Sequence, residues 1–217
     1  MIIDPYTWHK LTIDEVVPVA EATVAIRAKK PAGYVFRAGQ YAVVRVNGTL
    51  LRQYSFASHP GDDRLEFIVQ YEPEGQVSSW FYNFAKPGDE IEISQAFGNF
   101  TLEPHSKRPI LLVAGRVGIA PFMSFLRERP QRPVQLLYSV RNDSQVVCPD
   151  EIATFQPHIV TTATLPRISV HTIKPMLAGN PIVYICGSKQ FVDAIASLAQ
   201  KSGVDPRDIR RELFTLQ

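Results

Sequence analysis

The chain has 217 residues, 45 % of them hydrophobic and 20 % charged, which suits two compact units of about 100 residues each and argues against disorder. Its 23 basic and 21 acidic residues leave a net charge of +2, too even a balance to draw the chain as a whole to nucleic acid or an anionic membrane. Cys148 and Cys186 lie far apart with no CxxC spacing, which excludes a disulfide framework, a structural zinc site and an ordinary iron–sulfur cluster of about four thiolates held by this chain alone.

The N-terminal MIIDPYTWHK has no basic-then-apolar leader pattern, and no apolar run approaches the ~20 residues of a membrane span. With two thiols and no disulfide pattern, the expected location is the cytoplasm. No metal site is expected. The segments LTIDEVVPV (11–19), ATVAIRA (22–28), QYAVVRV (40–46), LEFIVQY (65–71) and EIEIS (90–94) read as short alternating strands. Pro31 to Gly33, Asn47-Gly48, Pro60-Gly61 and Pro87-Gly88 supply turn chemistry between them, and Asn47-Gly48 predicts a hairpin. One helical insert, VSSWFYNFA (77–85), interrupts them, and the pattern suggests a small antiparallel barrel.

The rhythm then changes. PILLVAG (109–115) is the continuous apolar run of a buried parallel strand, followed by helical spacing in IAPFMSFLRER (119–129). VQLLYSV (134–140), HIVTTAT (158–164), PIVYICG (181–187) and DIRRELF (208–214) read as further strands. The helix 188–203 has Ser188 as its N-cap and Gly203 as its stop. Strands alternating with helices predict an open parallel sheet. The fold class is therefore β plus α/β, divided near 103–109 into units 1–104 and 105–217. The cluster Arg207, Arg210 and Arg211 reads as a solvated face or a docking surface.

Four stretches carry candidate chemistry. In Arg52-Gln53-Tyr54-Ser55, alternation puts Arg52, Tyr54 and Phe56 on one side of a strand. Arginine forks onto phosphate, tyrosine offers a stacking face and serine can bond a ring nitrogen. The same residue types also occur on ordinary exposed strands. Gly75-Gln76-Val77-Ser78-Ser79 starts a helix, with Ser78 as its expected N-cap, and such a start is either an anion site or a plain cap. Gly115-Arg116-Val117-Gly118-Ile119-Ala120-Pro121 follows a buried strand, where an α/β sheet receives a dinucleotide phosphate, although the spacing is not GxGxxG. Cys186-Gly187 ends another strand, where a buried cysteine serves packing or chemistry.

Taken in this order, the pieces resemble the ferredoxin–NADP reductase superfamily, from about residue 8 to 214. Arg52-x-Tyr54-Ser55 is similar to the family's flavin motif, Gly39-Gln40-Tyr41 to the preceding strand, and Gly75-x-Val77-Ser78-Ser79 to the flavin phosphate loop. Gly115-x-x-Gly118-Ile119-Ala120-Pro121 resembles the nicotinamide nucleotide loop, Cys186-Gly187 the strand end near the nicotinamide, and Glu212-x-Phe214 the acidic-aromatic ending. The resemblance implies a six-stranded antiparallel Greek-key barrel that holds flavin, then an open parallel sheet that holds NADPH or NADH. It implies FAD in preference to FMN. It implies hydride transfer to the flavin and electron delivery to a redox partner protein or a small-molecule acceptor.

In that scheme Tyr54 packs on the isoalloxazine, and Ser55 lies near its reactive nitrogen. Arg52, Ser78 and Ser79 hold the phosphates. Cys186, Gly187 and Phe214 flank the nicotinamide, and Glu212 stabilises it, relays a proton or is a plain surface carboxylate. Ser139 and Arg141, at the end of the second parallel strand, are placed to meet the 2′-phosphate of NADP; alternatively Arg141 is a loop charge or stacks on adenine. One residue departs from the pattern. Arg116 stands where the family usually has glycine, and it either strains the loop, fills the nucleotide's space or pairs with the pyrophosphate. Two further readings stay open: an electron-transfer subunit of a larger complex, and a flavin-binding regulatory protein with an impaired nucleotide site.

Overall fold

The computed structural model describes residues 4–165 and 167–214. The first unit is a six-stranded antiparallel sheet in the order β4-β3-β6-β1-β2-β5, with β1 His9–Ala20, β2 Thr23–Lys29, β3 Tyr41–Val46, β4 Leu50–Ser55, β5 Arg64–Gln70 and β6 Glu90–Ile93. The expected hairpin joins β3 to β4. Asn47 and Gly48 both have positive φ, 50° and 73°, the conformation whose twist matches the flanking strands. After β4 the chain bridges Phe56 to Phe67 of β5, and the Ala57 N–H donates to the Glu66 carbonyl at 2.8 Å. That contact closes the sheet into a barrel. The chain leaves β5 through α1 (Gln76–Asn83) and returns as β6 between β3 and β1, a Greek-key connection. Ile13, Ile26, Val44, Phe56, Leu65, Phe67 and Phe81 fill the interior.

The second unit is a five-stranded parallel sheet in the order β11-β10-β7-β8-β9. Its strands are β7 Ile110–Gly115, β8 Val134–Val140, β9 His158–Thr161, β10 Ile182–Ser188 and β11 Ile209–Phe214. A 3-10 turn, Arg116–Ile119, leads into α2 (Ala120–Arg127); α3 (Pro149–Ala153) and α4 (Val170–Ile173) are short, and α5 (Lys189–Lys201) is the long helix. Ser188 caps α5 as expected, accepting from the Phe191 N–H at 3.4 Å. Both faces of the sheet are buried, so β7 reads as an unbroken apolar run rather than an alternating one.

The two sheets share one packed seam. Ala38, Ala57, Ile68 and Phe100 of the barrel side belong to the same cluster as Phe122, Phe125 and Tyr184. Ser124 Oγ, fully buried on α2, donates to the Ser58 carbonyl at 2.6 Å. The Cys148 N–H donates to the Val19 carbonyl at 3.0 Å, and the Glu21 N–H to the Ser144 carbonyl at 2.7 Å, so the loop after β8 is fastened to the β1–β2 hairpin. The basic cluster near the C-terminus is largely self-satisfied: Arg207 pairs with Asp205 at 2.7 Å and Arg210 with Glu103, while Arg211 is exposed.

Candidate functional site

In the parallel sheet, β8 and β9 lie on one side of β7, and β10 and β11 on the other. The connection changes direction between β7 and β10, and in such sheets ligands bind outside the carboxyl ends of the strands at that reversal. Gly115 ends β7 and Gly187 lies at the end of β10, side by side. The Phe191 ring fills the space both leave: a Cβ built on Gly115 would come 2.8 Å from it, and one on Gly187 2.9 Å. Gly118 is tighter still, since a Cβ there would lie 2.3 Å from the Cys186 carbonyl oxygen. Any side chain at 118 would push the turn off β10, so the glycine is required by close approach.

Cys186 is fully buried, and desolvation pushes its thiol well above the ordinary range, with the Glu212 charge adding to the rise. It suits packing, not nucleophilic attack. Cys186 stands opposite Glu212 in the β10–β11 register, and Ser188 opposite Phe214. Burial pushes the Glu212 carboxyl up to about 7. Across the seam, Tyr41 of β3 pairs with Ser55 of β4, and burial raises the Tyr41 hydroxyl, helped by the charge of Glu212. The Tyr41–Ser55 pair of the barrel and the Cys186–Glu212 pair of the parallel sheet are thus linked through the charge of Glu212 felt at Tyr41. Sequence reasoning assigned Tyr41 only to a strand motif; nothing in the strand alternation marks it as a neighbour of Glu212.

Arg52 and Tyr54 are half-buried on β4, with the Tyr54 ring edge-on to Phe81 at 5.8 Å between centroids. Beside them, α1 corrects one expectation. Its N-cap is Gly75, not Ser78. Ser78 sits inside the first turn, where its Oγ donates to the Gly75 carbonyl at 3.1 Å and accepts from the Glu72 N–H at 3.3 Å. The short run from Glu72 folds back on the helix, and a buried serine inside the turn satisfies it better than a flanking cap would. Among the described residues, the N–H groups of Gln76, Val77 and Ser78 meet no acceptor, which leaves an anion-ready helix start. A groove of about 300 Å³ runs alongside, lined by Leu50, Gly75, Gln76, Ser79, Trp80 and Phe84 among others. Leu50 lines the groove, and Arg52 lies two residues on along the same side of β4.

The guanidinium groups divide into two sets. Those of Arg27, Arg45, Arg64, Arg108, Arg127, Arg207 and Arg210 are ion-paired. Those of Arg52, Arg116 and Arg141 meet no carboxylate among the described residues, a state they share with the exposed Arg37, Arg129, Arg167 and Arg211 and with Arg132, which donates to the Ser106 carbonyl instead. Arg116 has φ +50°, so the non-glycine residue does occupy the left-handed region, at a cost of about 1 kcal/mol. Ser139 stands opposite Gly115 in the β7–β8 register, and Arg141 follows at the exposed end of β8. Ile119, Ala120 and Pro121 form the buried entry to α2. A larger cavity of about 640 Å³, lined by Val134, His158, His171 and Met176 among others, opens at the amino ends of β8 and β9. It lies at the opposite edge of the sheet from every candidate residue.

The raised Glu212 pKa has a testable consequence for stability. The folded carboxyl holds its proton above its unfolded value of 4.5, so the cost of ionising it is absent below about 4.5. That cost accumulates as pH rises and is complete above about 7. Glu212→Gln removes it. The variant is expected to melt with the parent near pH 4.5 and above it at pH 8, by roughly 4 to 8 °C for a penalty of about 2 kcal/mol. A melting difference that does not change with pH would show that Glu212 is not held in a desolvated site.

Residues 11–102 match the oxidoreductase FAD-binding domain family. The chain is 29 % identical over 227 residues to the toluate 1,2-dioxygenase electron transfer component of Pseudomonas putida, covering 95 % of this chain and 67 % of that protein. It is 31 % identical over 196 residues to the NADH oxidoreductase HCR of Escherichia coli K12, covering 84 % and 61 %. The crystal structure of a ferredoxin NADP+ reductase from Neisseria gonorrhoeae with bound FAD and NADP superposes with a TM-score of 0.79 at 21 % identity, over 95 % of this chain and 98 % of that one. The chain spans about half to two thirds of the length of the curated relatives it matches. These likenesses agree with the barrel and with the reversal in the parallel sheet: residues 11–102 carry the oxidoreductase FAD-binding domain, and the chain has the fold of the ferredoxin NADP+ reductase structure.

Proposed function

We propose that the chain is a flavoprotein reductase that takes a hydride from NADPH or NADH onto bound FAD and passes electrons to an acceptor. The observation that carries this reading is the sheet reversal, where Gly115, Gly118 and Gly187 bring the backbone close together beside a barrel that matches the FAD-binding domain family. The barrel, residues 1–104, is the proposed flavin unit, and 105–217 the nucleotide unit. FAD, when bound, accepts two electrons with a proton and releases them onward.

The donor set fits that cofactor. Arg52, the free amides at Gln76 and Val77, and Ser79 are the proposed phosphate contacts. Ser78 shapes the turn rather than touching phosphate, because its hydroxyl is already engaged. Tyr54 offers its ring to the flavin and Ser55 its hydroxyl. Gly115, Gly118, Ile119, Ala120 and Pro121 receive the pyrophosphate of the dinucleotide, while Gly187, packed on the Phe191 ring, and Phe214 flank its nicotinamide. Cys186 supports that space from beneath. Glu212, poised near neutral pH, holds or yields a proton beside the reacting rings. The packed seam around Phe100, Phe122 and Tyr184 keeps water from behind the site.

The acceptor is proposed to be a redox partner protein or a small molecule, as the electron-transfer roles in the relatives' names suggest. No helix among the described residues is long and apolar enough to cross a membrane; the proposed compartment is the cytoplasm, on the strength of two free thiols. A role as the electron-transfer part of a larger assembly is favoured by the relatives named as electron transfer components. Arg116 favours a flavin-binding protein with an impaired nucleotide site.

Anaerobic titration distinguishes these readings. The yellow protein is expected to bleach with NADPH, and with NADH more weakly. If Arg141 reads the 2′-phosphate, Arg141→Ala raises the apparent Kd for NADPH about tenfold, roughly 1.4 kcal/mol, and leaves NADH nearly unchanged. A protein that holds flavin but bleaches with neither nucleotide would be a binding module, not a reductase.

A further inference from the structure

We propose that Arg116 grips the pyrophosphate of the bound nicotinamide dinucleotide, replacing with a charged side chain part of what a glycine-rich turn does with backbone amides. The inference rests on the nucleotide reading above and assigns a residue the family motif does not predict.

Arg116 is the first residue after β7, at the carboxyl edge of the sheet and next to the reversal. In sheets of this kind the pyrophosphate sits at the first strand-to-helix turn, whereas the ribose and its 2′ substituent lie beyond the second strand. Position therefore points Arg116 to the pyrophosphate and Arg141 to the ribose end.

The backbone gives an independent reason. Arg116 holds φ +50°, and the turn cannot relax, because Gly118 is pressed against the Cys186 carbonyl. Other non-glycine residues with positive φ have local explanations, beginning with Ala22, which turns the tight β1–β2 hairpin. Asn47 and Asn180 are of the type that tolerates it. Arg129 and Gln156 close helix ends, with N–H bonds to Leu126 and Ala153. Cys148 also opens a helix, but its amide is anchored to Val19 and its side chain is half-buried. Arg116 is exposed and its guanidinium has no partner among the described residues. No side-chain contact among the described residues engages the guanidinium, which leaves it free for a ligand at the turn.

The chemistry selects the ligand. A guanidinium forks onto two phosphate oxygens with charge-assisted bonds. The turn adds amides at its start that lack intrahelical acceptors, ahead of the positive end of α2. A pyrophosphate matches both.

The test is isothermal titration of the flavin-loaded protein with ADP-ribose, which keeps the pyrophosphate, and with AMP, which lacks it. The parent is expected to bind ADP-ribose about tenfold more tightly than AMP. Arg116→Gln is expected to lose most of that advantage, and Arg116→Lys to retain part of it. Arg116→Gly, which accepts this φ without a Cβ, checks the fold: its Tm is expected at or above that of the parent. An unchanged ADP-ribose to AMP ratio in Arg116→Gln overturns the proposal. So does tighter binding of either probe by Arg116→Gly, which would make the arginine an obstruction. If the parent binds neither probe and neither NAD+ nor NADP+, the nucleotide reading itself fails and this inference falls with it.

Discussion

Arg127→Ala is expected to lower the melting temperature by on the order of 10 °C, an effect of about 3 to 5 kcal/mol. Arg127, at the end of α2, donates to the Ala57 carbonyl at 2.8 Å and to Glu66 Oε1 at 2.7 Å on the barrel side. It also forms a two-pronged pair with Glu151, at 2.7 and 2.8 Å. Glu66 is joined in turn to Arg27 at 2.6 Å, and Arg27 to Glu15 at 3.0 Å. The Glu66 and Arg127 side chains are only 7 % and 18 % exposed, so the pair is desolvated and truncating one partner strands the other. The same logic says that removing both charges costs far less than removing one. Arg127→Met with Glu66→Gln should recover much of the loss, as read by thermal and urea melts. A single variant that loses less than about 1 kcal/mol would mean that the seam is held by apolar packing alone.

The second large effect concerns flavin retention. Arg52→Ala is expected to raise the Kd for FAD between about tenfold and a hundredfold, the loss of a charge-assisted phosphate contact of roughly 1.5 to 3 kcal/mol. Arg52 lies on the same side of β4 as Leu50, which lines the groove beside α1, and makes no side-chain hydrogen bond among the described residues. Its removal should therefore leave the apo-protein's melting temperature nearly unchanged, which separates lost binding from lost folding. Fluorescence titration of the apo-protein with FAD, and then with FMN, gives the measurement. Equal FAD affinity in parent and variant would move the phosphate away from β4 and leave the helix start of α1 without its cationic partner.

Much of the architecture is legible because it depends on local pattern. Period-two alternation marks the barrel strands, and an unbroken apolar run marks β7, whose two faces are both covered. Asn47-Gly48 marks the hairpin through its backbone preference. The seam between the sheets is less legible. Glu66 is a lone carboxylate in the apolar segment LEFIVQY, which is a signal of a buried partner, but Arg127 lies far along the chain and the pattern of neither segment names the other. The helix is capped at Gly75, three residues before the expected Ser78, because a serine near a helix start has the same local pattern whether it flanks the turn or folds back into it.

For the site, the sequence by itself determined which residue types occupy each strand end and turn: Arg52, Tyr54 and Ser55 on β4, glycines at 115, 118 and 187, and Glu212 with Phe214 on β11. These follow from neighbours a few residues apart, whose relative positions the backbone geometry dictates. The tertiary structure decided which of them meet. It paired Tyr41 with Ser55 in the barrel and Cys186 with Glu212 in the parallel sheet, put Tyr41 within reach of the Glu212 charge, gave Gly118 its necessity through a single carbonyl on another strand, and held Arg116 at φ +50° with its charge free. It also set the proton affinity of Glu212, because desolvation is a property of everything packed around a carboxyl and not of the residues beside it in the chain.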